Sequence, residues 1–147
     1  MGKALIISIK PEFAEKIFNG TKTIELRKSV PNISPGDMVV VYCTTPVKAV
    51  LGVCRVKEVL RLKPSMMWKK HNLVLGIDQE RYNQYYENSS IAVGIKLTSI
   101  CKLEKNLSLN AIKKLFPRFQ PPQTFRYYKK IAVLKTYLKQ NEICSSF

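Results

Sequence analysis

The spacing of apolar and polar positions predicts a chain of short strands interrupted by a few helices. Residues 3–9 form an apolar run typical of a buried first strand. Pro11, followed by apolar positions at helical spacing, predicts a short helix that ends at Asn19-Gly20. Residues 23–27 alternate, with Ile24 and Leu26 on one face and charged side chains on the other.

The rest of the chain continues this alternation, with one helical interruption. Strands are predicted at 38–44, at 49–62 with a bend or bulge at Gly52, and at 90–103. A helical and aromatic segment at about 64–88 separates the last two strands. The remaining predicted elements are a helix from Ser108 to Leu115 and a basic amphipathic helix at about 128–140.

These elements fit one domain over residues 1–147, with the helical segment as an insertion and the basic helix at the end. Short strands joined by turns, with few crossover helices, disfavour a doubly wound parallel sheet. The predicted class is α+β, with a small, mostly antiparallel β-barrel that carries helices on its rim.

Charge gives the first indication of a partner. The chain has 147 residues, of which 25 are Lys or Arg and 10 are Asp or Glu, for a net charge of +15. Such a surface attracts polyanions, and nucleic acid is the commonest of these in a cytoplasm, where we expect the protein to reside. No apolar run is long enough to cross a bilayer, so a membrane partner is not expected.

Metal and cofactor binding are not predicted. The four cysteines form no C-x-x-C pair, and in an intracellular protein they are expected to behave as small core hydrophobes. His71 is the only histidine, and no Cys or His stands at ligand spacing from it. His71 is therefore expected at the surface.

The segment NGTKTIELRK places Lys22, Glu25 and Arg27 close together at the corner between a helix and a strand. One interpretation is a cavity lining in which the carboxylate orients the two cations towards a ligand. The other is a solvated strand face with a salt bridge worth about 0 to 1 kcal/mol. Periodicity alone favours the second interpretation.

The residues Gly20, Lys22, Glu25 and Arg27 reproduce the G-x-K-x-x-E-x-R signature of the ASCH domain, and SIKPEFAEKIFNGTKTIELRK resembles the opening of that family. The segments PVKAVLGVCRVKEVL and PPQTFRYY resemble later parts of its longer microbial members, which are labelled predicted transcriptional regulators. The resemblance covers about residues 4–128.

The resemblance implies a PUA-like β-barrel with a cleft that binds RNA or a nucleotide. It implies that Lys22, Glu25 and Arg27 line this cleft, with Gly20 as a permissive corner. Ser8 and Lys10, next to the start of the helix, are added as neighbouring candidates.

A second candidate surface lies between Phe116 and Lys130, where aromatic and basic residues alternate as in single-strand-binding surfaces. Gln123 and Arg126 are predicted to contact the ligand, whereas Phe119 and Phe125 are predicted to anchor this segment to the barrel. Three tyrosines at helical spacing in the insertion are predicted to pack on the barrel: Tyr82, Tyr85 and Tyr86.

The first functional hypothesis is a module that binds RNA or a nucleotide, modified or not. In this hypothesis the Glu and Gln side chains recognise the edge of the base. The alternative is an enzyme that acts on RNA or nucleosides with Lys22 as its reactive group, and catalysis itself stays open. The resemblance to a ribonuclease-like branch of the family suggests Lys22 and Tyr42 as candidate residues for RNA cleavage.

An N4-acetylcytidine amidohydrolase branch has a nucleophilic Thr where this chain has Glu25, and a carboxylate cannot replace that hydroxyl directly. Binding to duplex DNA is a third hypothesis, for which the chain offers no helix-turn-helix. The sequence predicts neither the base nor the oligomeric state.

Overall fold

The computed structural model describes residues 4–123, the backbone of residues 125–128, and Cys144. Its strands are β1 (Ala4–Ile9), β2 (Ile24–Arg27), β3 (Met38–Cys43), β4 (Ala49–Leu62), β5 (Ala92–Ser108) and β6 (Phe125–Tyr128). Its α-helices are α1 (Pro11–Phe18), α2 (Pro64–His71), α3 (Gln79–Tyr85) and α4 (Leu109–Leu115), and a short 3-10 helix covers Asn72–Val74.

The six strands form one sheet in the order β2-β5-β4-β3-β1-β6. Four of the neighbouring pairs are antiparallel, and β1 pairs with β3 in parallel. The predicted α+β class and the mostly antiparallel sheet are confirmed. The predicted bulge is present as well, because the register between β4 and both of its neighbours shifts next to Gly52.

Strands β1 and β3 are apolar because both of their faces are covered. Every residue of β1 and of β3 is buried. Ile6 and Val40 belong to one core cluster, whereas Ile7 and Val41 belong to a second cluster on the opposite face. Alternate residues of a strand point to opposite faces, so a continuous apolar run is required where both are packed.

A third core cluster lies under the insertion between β4 and β5. Ile24 and Leu26 of β2 pack there against Met67, Leu75 and other insertion residues. Asp78 is the N-cap of α3, as its position in the sequence predicts, and its side chain accepts a hydrogen bond from the Arg81 backbone. The insertion therefore rests on the strand that carries the charged signature.

The segment at residues 125–128 differs from the prediction. Tyr128, where the basic helix is predicted to begin, is the last residue of the unpredicted strand β6, which pairs antiparallel with β1. Pairing with β6 supplies partners for the backbone groups along this side of β1, and short aromatic segments such as Phe125–Tyr128 suit strands. The rest of the predicted helix, residues 129–140, lies outside the described residues.

The expectation that all cysteines act as core hydrophobes is wrong for two of them. Cys101 and Cys144 form a disulfide with a Cα–Cα distance of 5.9 Å, whereas Cys43 and Cys54 are buried and free. The two bridged positions are 43 residues apart, a separation at which sequence spacing carries no pairing signal. Within the part of the chain that is described, no helix has the length and apolar character to span a membrane.

Replacing Gly52 by Ala tests the close packing at the bulge of β4. A Cβ at this position would overlap the Cys101 carbonyl oxygen and would lie 2.6 Å from the Phe18 ring. We expect Gly52→Ala to lower the free energy of unfolding by about 2 kcal/mol or more, measured by urea denaturation.

Gly20→Ala is the matched control for this substitution. Gly20 has a φ of +86°, and a Cβ there would have no atom within 4 Å, so only backbone strain of about 1 kcal/mol is expected. Equal losses in the two variants would contradict the crowding argument.

Candidate functional site

The corner between α1 and β2 brings the charged signature to the interior. Asn19 ends α1, and Gly20 adopts a φ of +86°, a conformation that favours glycine. The backbone N–H of Lys22 then donates to the Lys16 carbonyl at 3.0 Å, which fixes the turn. The permissive corner that the signature implies at Gly20 is present in the backbone.

Lys22 is buried, with 3% of its surface exposed. Its Nζ donates to the carbonyl oxygens of Ile24 at 2.8 Å and Leu75 at 2.6 Å, and it lies 3.6 Å from Glu25 Oε1. Two of the ammonium hydrogens therefore have carbonyl acceptors, and the Glu25 carboxylate adds a charge contact beyond hydrogen-bond distance. Burial lowers the pKa of Lys22, and the neighbouring Glu25 carboxylate opposes this effect.

Glu25 is also buried and links Lys22 to Arg27. Its Oε2 accepts a hydrogen bond from Arg27 Nη2 at 2.6 Å, and the same Nη2 donates to the Ser8 carbonyl of β1 at 3.0 Å. Arg27 Nε is buried without a hydrogen-bond partner among the described residues. Lys22, Glu25 and Arg27, which we call the ion triad, form one connected network with one excess positive charge.

The insertion closes over the aliphatic part of Lys22. Gly76, at a φ of +69°, lies so close that a Cβ there would be 2.9 Å from Lys22 Cβ. The Thr23 N–H donates to the Val74 carbonyl at 3.0 Å, and Lys16 Nζ donates to the Gly76 carbonyl at 2.9 Å. The segment from Val74 to Gly76 therefore removes Lys22 from solvent, and the interpretation of a solvated strand face is wrong.

The ion triad lies in a cavity of about 560 Å³, within the range of small-ligand sites. The lining residues of this triad cavity are Ser8, Ile9, Lys10, Phe13, Lys22, Glu25, Leu26, Arg27, Thr44, Ile77, Arg81, Gln84, Tyr85 and Gln123. Four cations and one carboxylate leave three excess positive charges in this lining. A cavity of this charge concentrates anions.

The structure brings most of the predicted site residues together. Ser8, Lys10 and Gln123 line the triad cavity along with the ion triad, and Ser8 Oγ donates to the Pro122 carbonyl at 2.5 Å. One predicted residue, Tyr42, is placed elsewhere. Tyr42 is 3% exposed and packs against Phe119 in the core, and its pKa is raised by burial. Arg126 is described only as a backbone position of β6, paired with Ile6.

Sequence reasoning missed the wall of the cavity that α3 and α1 supply. Arg81, Gln84 and Tyr85 share one face of α3, and Phe13 faces them from α1. The predicted packing role holds for Tyr82 and Tyr86, which are buried, and for Tyr85, which packs against the same core cluster and also lines the cavity. The spacing i, i+3, i+4 from Arg81 would have indicated a second face on the same helix.

No cluster of three or more His, Cys, Asp or Glu side chains suited to a metal ion occurs among the residues that the structure describes. His71 is half-buried at the end of α2, and burial together with Lys96 and Lys70 lowers its pKa. It does not line the triad cavity.

The curled, mostly antiparallel sheet with a cavity at its helical rim defines a PUA-like β-barrel. A family model described as "ASCH domain" matches residues 7–101. The chain therefore belongs to the ASCH domain family, which confirms the resemblance to that family.

Known proteins resemble the chain over most of its length. A Zymomonas mobilis protein named "ASCH domain-containing ribonuclease" is 27% identical over 128 residues, which cover 87% of this chain and 86% of that protein. A crystal structure of ASCH from Zymomonas mobilis has a TM-score of 0.85 at 27% identity, covering 92% of this chain and 94% of that one.

A third relative is similar in fold alone. Human THYN1, solved in complex with 5-methylcytosine containing DNA, has a TM-score of 0.51 at 10% identity, covering 88% of this chain and 92% of that one.

Replacing Lys22 by Met tests the buried charge network. The substitution keeps the aliphatic volume but leaves Glu25 and two carbonyl groups without their donor, so we expect the free energy of unfolding to fall by about 3 kcal/mol. Lys57→Met, at an exposed position of β4, is the control and should change it by less than about 0.5 kcal/mol. Chemical denaturation of both variants measures the difference, and a stable Lys22→Met protein would contradict the network.

Proposed function

We propose that the chain is an RNA-binding protein that holds a nucleotide of single-stranded RNA in the triad cavity. The observation that carries this proposal is the ion triad itself, three converging charged side chains inside a cavity that keeps three excess positive charges. RNA is the abundant polyanion of the cytoplasm, the location that the composition suggests. The name of the Zymomonas mobilis relative, a ribonuclease, supports RNA as the nucleic acid.

The cavity lining combines the two kinds of group that single-stranded RNA requires. Phe13 and Tyr85 supply aromatic surface, on which bases stack. The side chain of Lys10 is exposed and has no hydrogen-bond or ion-pair partner among the described residues. Its ammonium group is therefore available to a phosphate. Gln84 and Gln123 are exposed amides that can pair with a base edge.

Glu25 is a poor candidate for reading the base. Each of its carboxylate oxygens already faces a cation, Lys22 on one side and Arg27 on the other. The same pairing argues against an amidohydrolase in which Glu25 replaces a nucleophile, because attack would require the carboxylate to leave both partners. We therefore assign base contacts to the amides and treat Glu25 as the residue that positions Arg27.

Binding of a fluorescein-labelled single-stranded RNA, followed by fluorescence anisotropy, tests the proposal. Lys10→Gln and Arg27→Met should each weaken binding, with Arg27→Met losing about tenfold or more because Arg27 is part of the fixed triad. Arg61→Met, at an exposed position of β4 outside the cavity, is the matched control and should bind nearly as well as the parent.

The same measurement with duplex RNA and duplex DNA separates the nucleic acid classes. Weaker binding of both duplexes supports a site that accepts splayed bases. Preferential binding of duplex DNA, or equal losses in Arg61→Met and Arg27→Met, would contradict the proposal.

A second candidate function is RNA cleavage, and the name of the Zymomonas mobilis relative favours it. Cations fixed in a cavity can stabilise the charge that develops on a phosphate during cleavage. Lys22 fits this function as a positioning residue rather than as a proton acceptor, because its ammonium group donates to Ile24 and Leu75 and lies beside the Glu25 carboxylate. Tyr42, the other residue suggested for cleavage, does not line the cavity.

Gel analysis of a labelled single-stranded RNA incubated with the parent and with the same variants tests cleavage. If the cavity cleaves RNA, product should appear with the parent and with Arg61→Met and should fall by about tenfold or more with Arg27→Met. Intact RNA that is nevertheless bound would exclude the enzyme and retain the binding function. Cleavage that is unchanged in Arg27→Met would come from a different site or from a contaminant.

A further inference from the structure

Arg81 of α3 and Glu12 of α1 form a two-pronged ion pair next to the triad cavity. Arg81 Nη1 lies 2.8 Å from Glu12 Oε2, and Nη2 lies 3.0 Å from Glu12 Oε1. Arg81 lines the triad cavity, whereas Glu12 is not part of the lining. The pair joins two helices that contribute opposite parts of the wall.

The guanidinium of Arg81 is held but remains accessible. Its carbon lies 5.2 Å from the centroid of the Phe13 ring, which gives the planar group a second contact besides Glu12. The side chains of Arg81 and Glu12 are 42% and 44% exposed. The Arg81 guanidinium is therefore preorganised in position. Solvent or a ligand can replace its exposed carboxylate partner, Glu12.

The geometry of the pair resembles the way arginine binds a phosphate. A guanidinium presents parallel N–H groups whose spacing matches two oxygens of a carboxylate or of a phosphate equally well. Among the lining cations, Lys22 is buried and donates to two carbonyl oxygens beside Glu25, and the Nη2 group of Arg27 is committed to Glu25 and Ser8. Arg81 and Lys10 are the lining cations with exposed side chains.

We propose that Arg81 binds a phosphate of the ligand and that Glu12 occupies the same guanidinium as an internal competitor in the free protein. This inference rests on the proposed RNA-binding function and identifies the ligand as phosphate-bearing, a nucleotide or an RNA strand rather than a nucleoside. Entry of the phosphate displaces the Glu12 carboxylate, which then turns to solvent or to Lys16, whose Nζ lies 4.0 Å from it. The apparent affinity of the free protein is reduced by the fraction in which Arg81 is occupied.

Glu12→Gln is the decisive variant, because it is expected to improve binding, which a misfolded protein cannot do. Removing the competitor should tighten binding of a fluorescein-labelled single-stranded RNA by about fivefold, the factor that corresponds to the upper range of an exposed ion pair. Glu15→Gln is the matched control. It removes the same charge from the same exposed helix, but Glu15 has no ion pair with Arg81.

Arg81→Gln and the double variant complete the cycle. Arg81→Gln should weaken binding and reduce the slope of log affinity against log salt concentration by about one, as expected for the loss of one phosphate contact. In the Arg81→Gln background, Glu12→Gln should no longer tighten binding, because the two residues act on each other. Competition by ribonucleoside monophosphates, but not by the corresponding nucleosides, should be seen with the parent protein.

The outcomes separate this inference from the function on which it rests. Equal effects of Glu12→Gln and Glu15→Gln, weaker binding by Glu12→Gln, or an unchanged salt slope in Arg81→Gln would overturn the role of Arg81 while RNA binding stands. Competition by nucleosides alone would overturn the phosphate-bearing ligand. A parent protein that binds no RNA would overturn both the proposed function and the inference.

Discussion

The buried ammonium group of Lys22 is the interaction on which the cavity depends. Transfer of a charged group from water to an interior is costly unless it is hydrogen-bonded and paired with an opposite charge. Here the carbonyl acceptors come from β2 and from the insertion, and the opposite charge comes from Glu25, so the ammonium group is stabilised only when all three are in place. Lys22 thus links the corner between α1 and β2 to the insertion.

The ion triad and the two exposed lining cations, Lys10 and Arg81, have different roles in the cavity. Glu25 lies between two cations and holds Arg27 in position, so these groups form a fixed floor of the cavity with one excess positive charge. The exposed side chains of Lys10, Arg81 and the lining amides are the groups that can adapt to a ligand. Discrimination between ligands should therefore reside on the helical side of the cavity, where the family signature carries no residues.

Much of this arrangement could be predicted from the sequence, because the charges of the signature lie within six residues at the corner between α1 and β2. Local spacing identified that corner, the insertion and the bulge at Gly52. The contribution of α3 escaped prediction because Arg81 meets Glu12 across 69 residues, and periodicity describes faces of a helix but not what they oppose. Strand β6 escaped prediction because its partner β1 is even more remote in the sequence.

The place of β1 in the sheet also bears on synthesis at the ribosome. Its final neighbour, β6, lies more than a hundred residues downstream. Just before β6, the Pro122 carbonyl accepts a hydrogen bond from Ser8, and Gln123 lines the triad cavity. A nascent chain that has emerged only as far as α4 lacks this wall. The triad cavity is therefore completed only after the segment before β6 has been synthesised, and not when the residues of the ion triad first emerge.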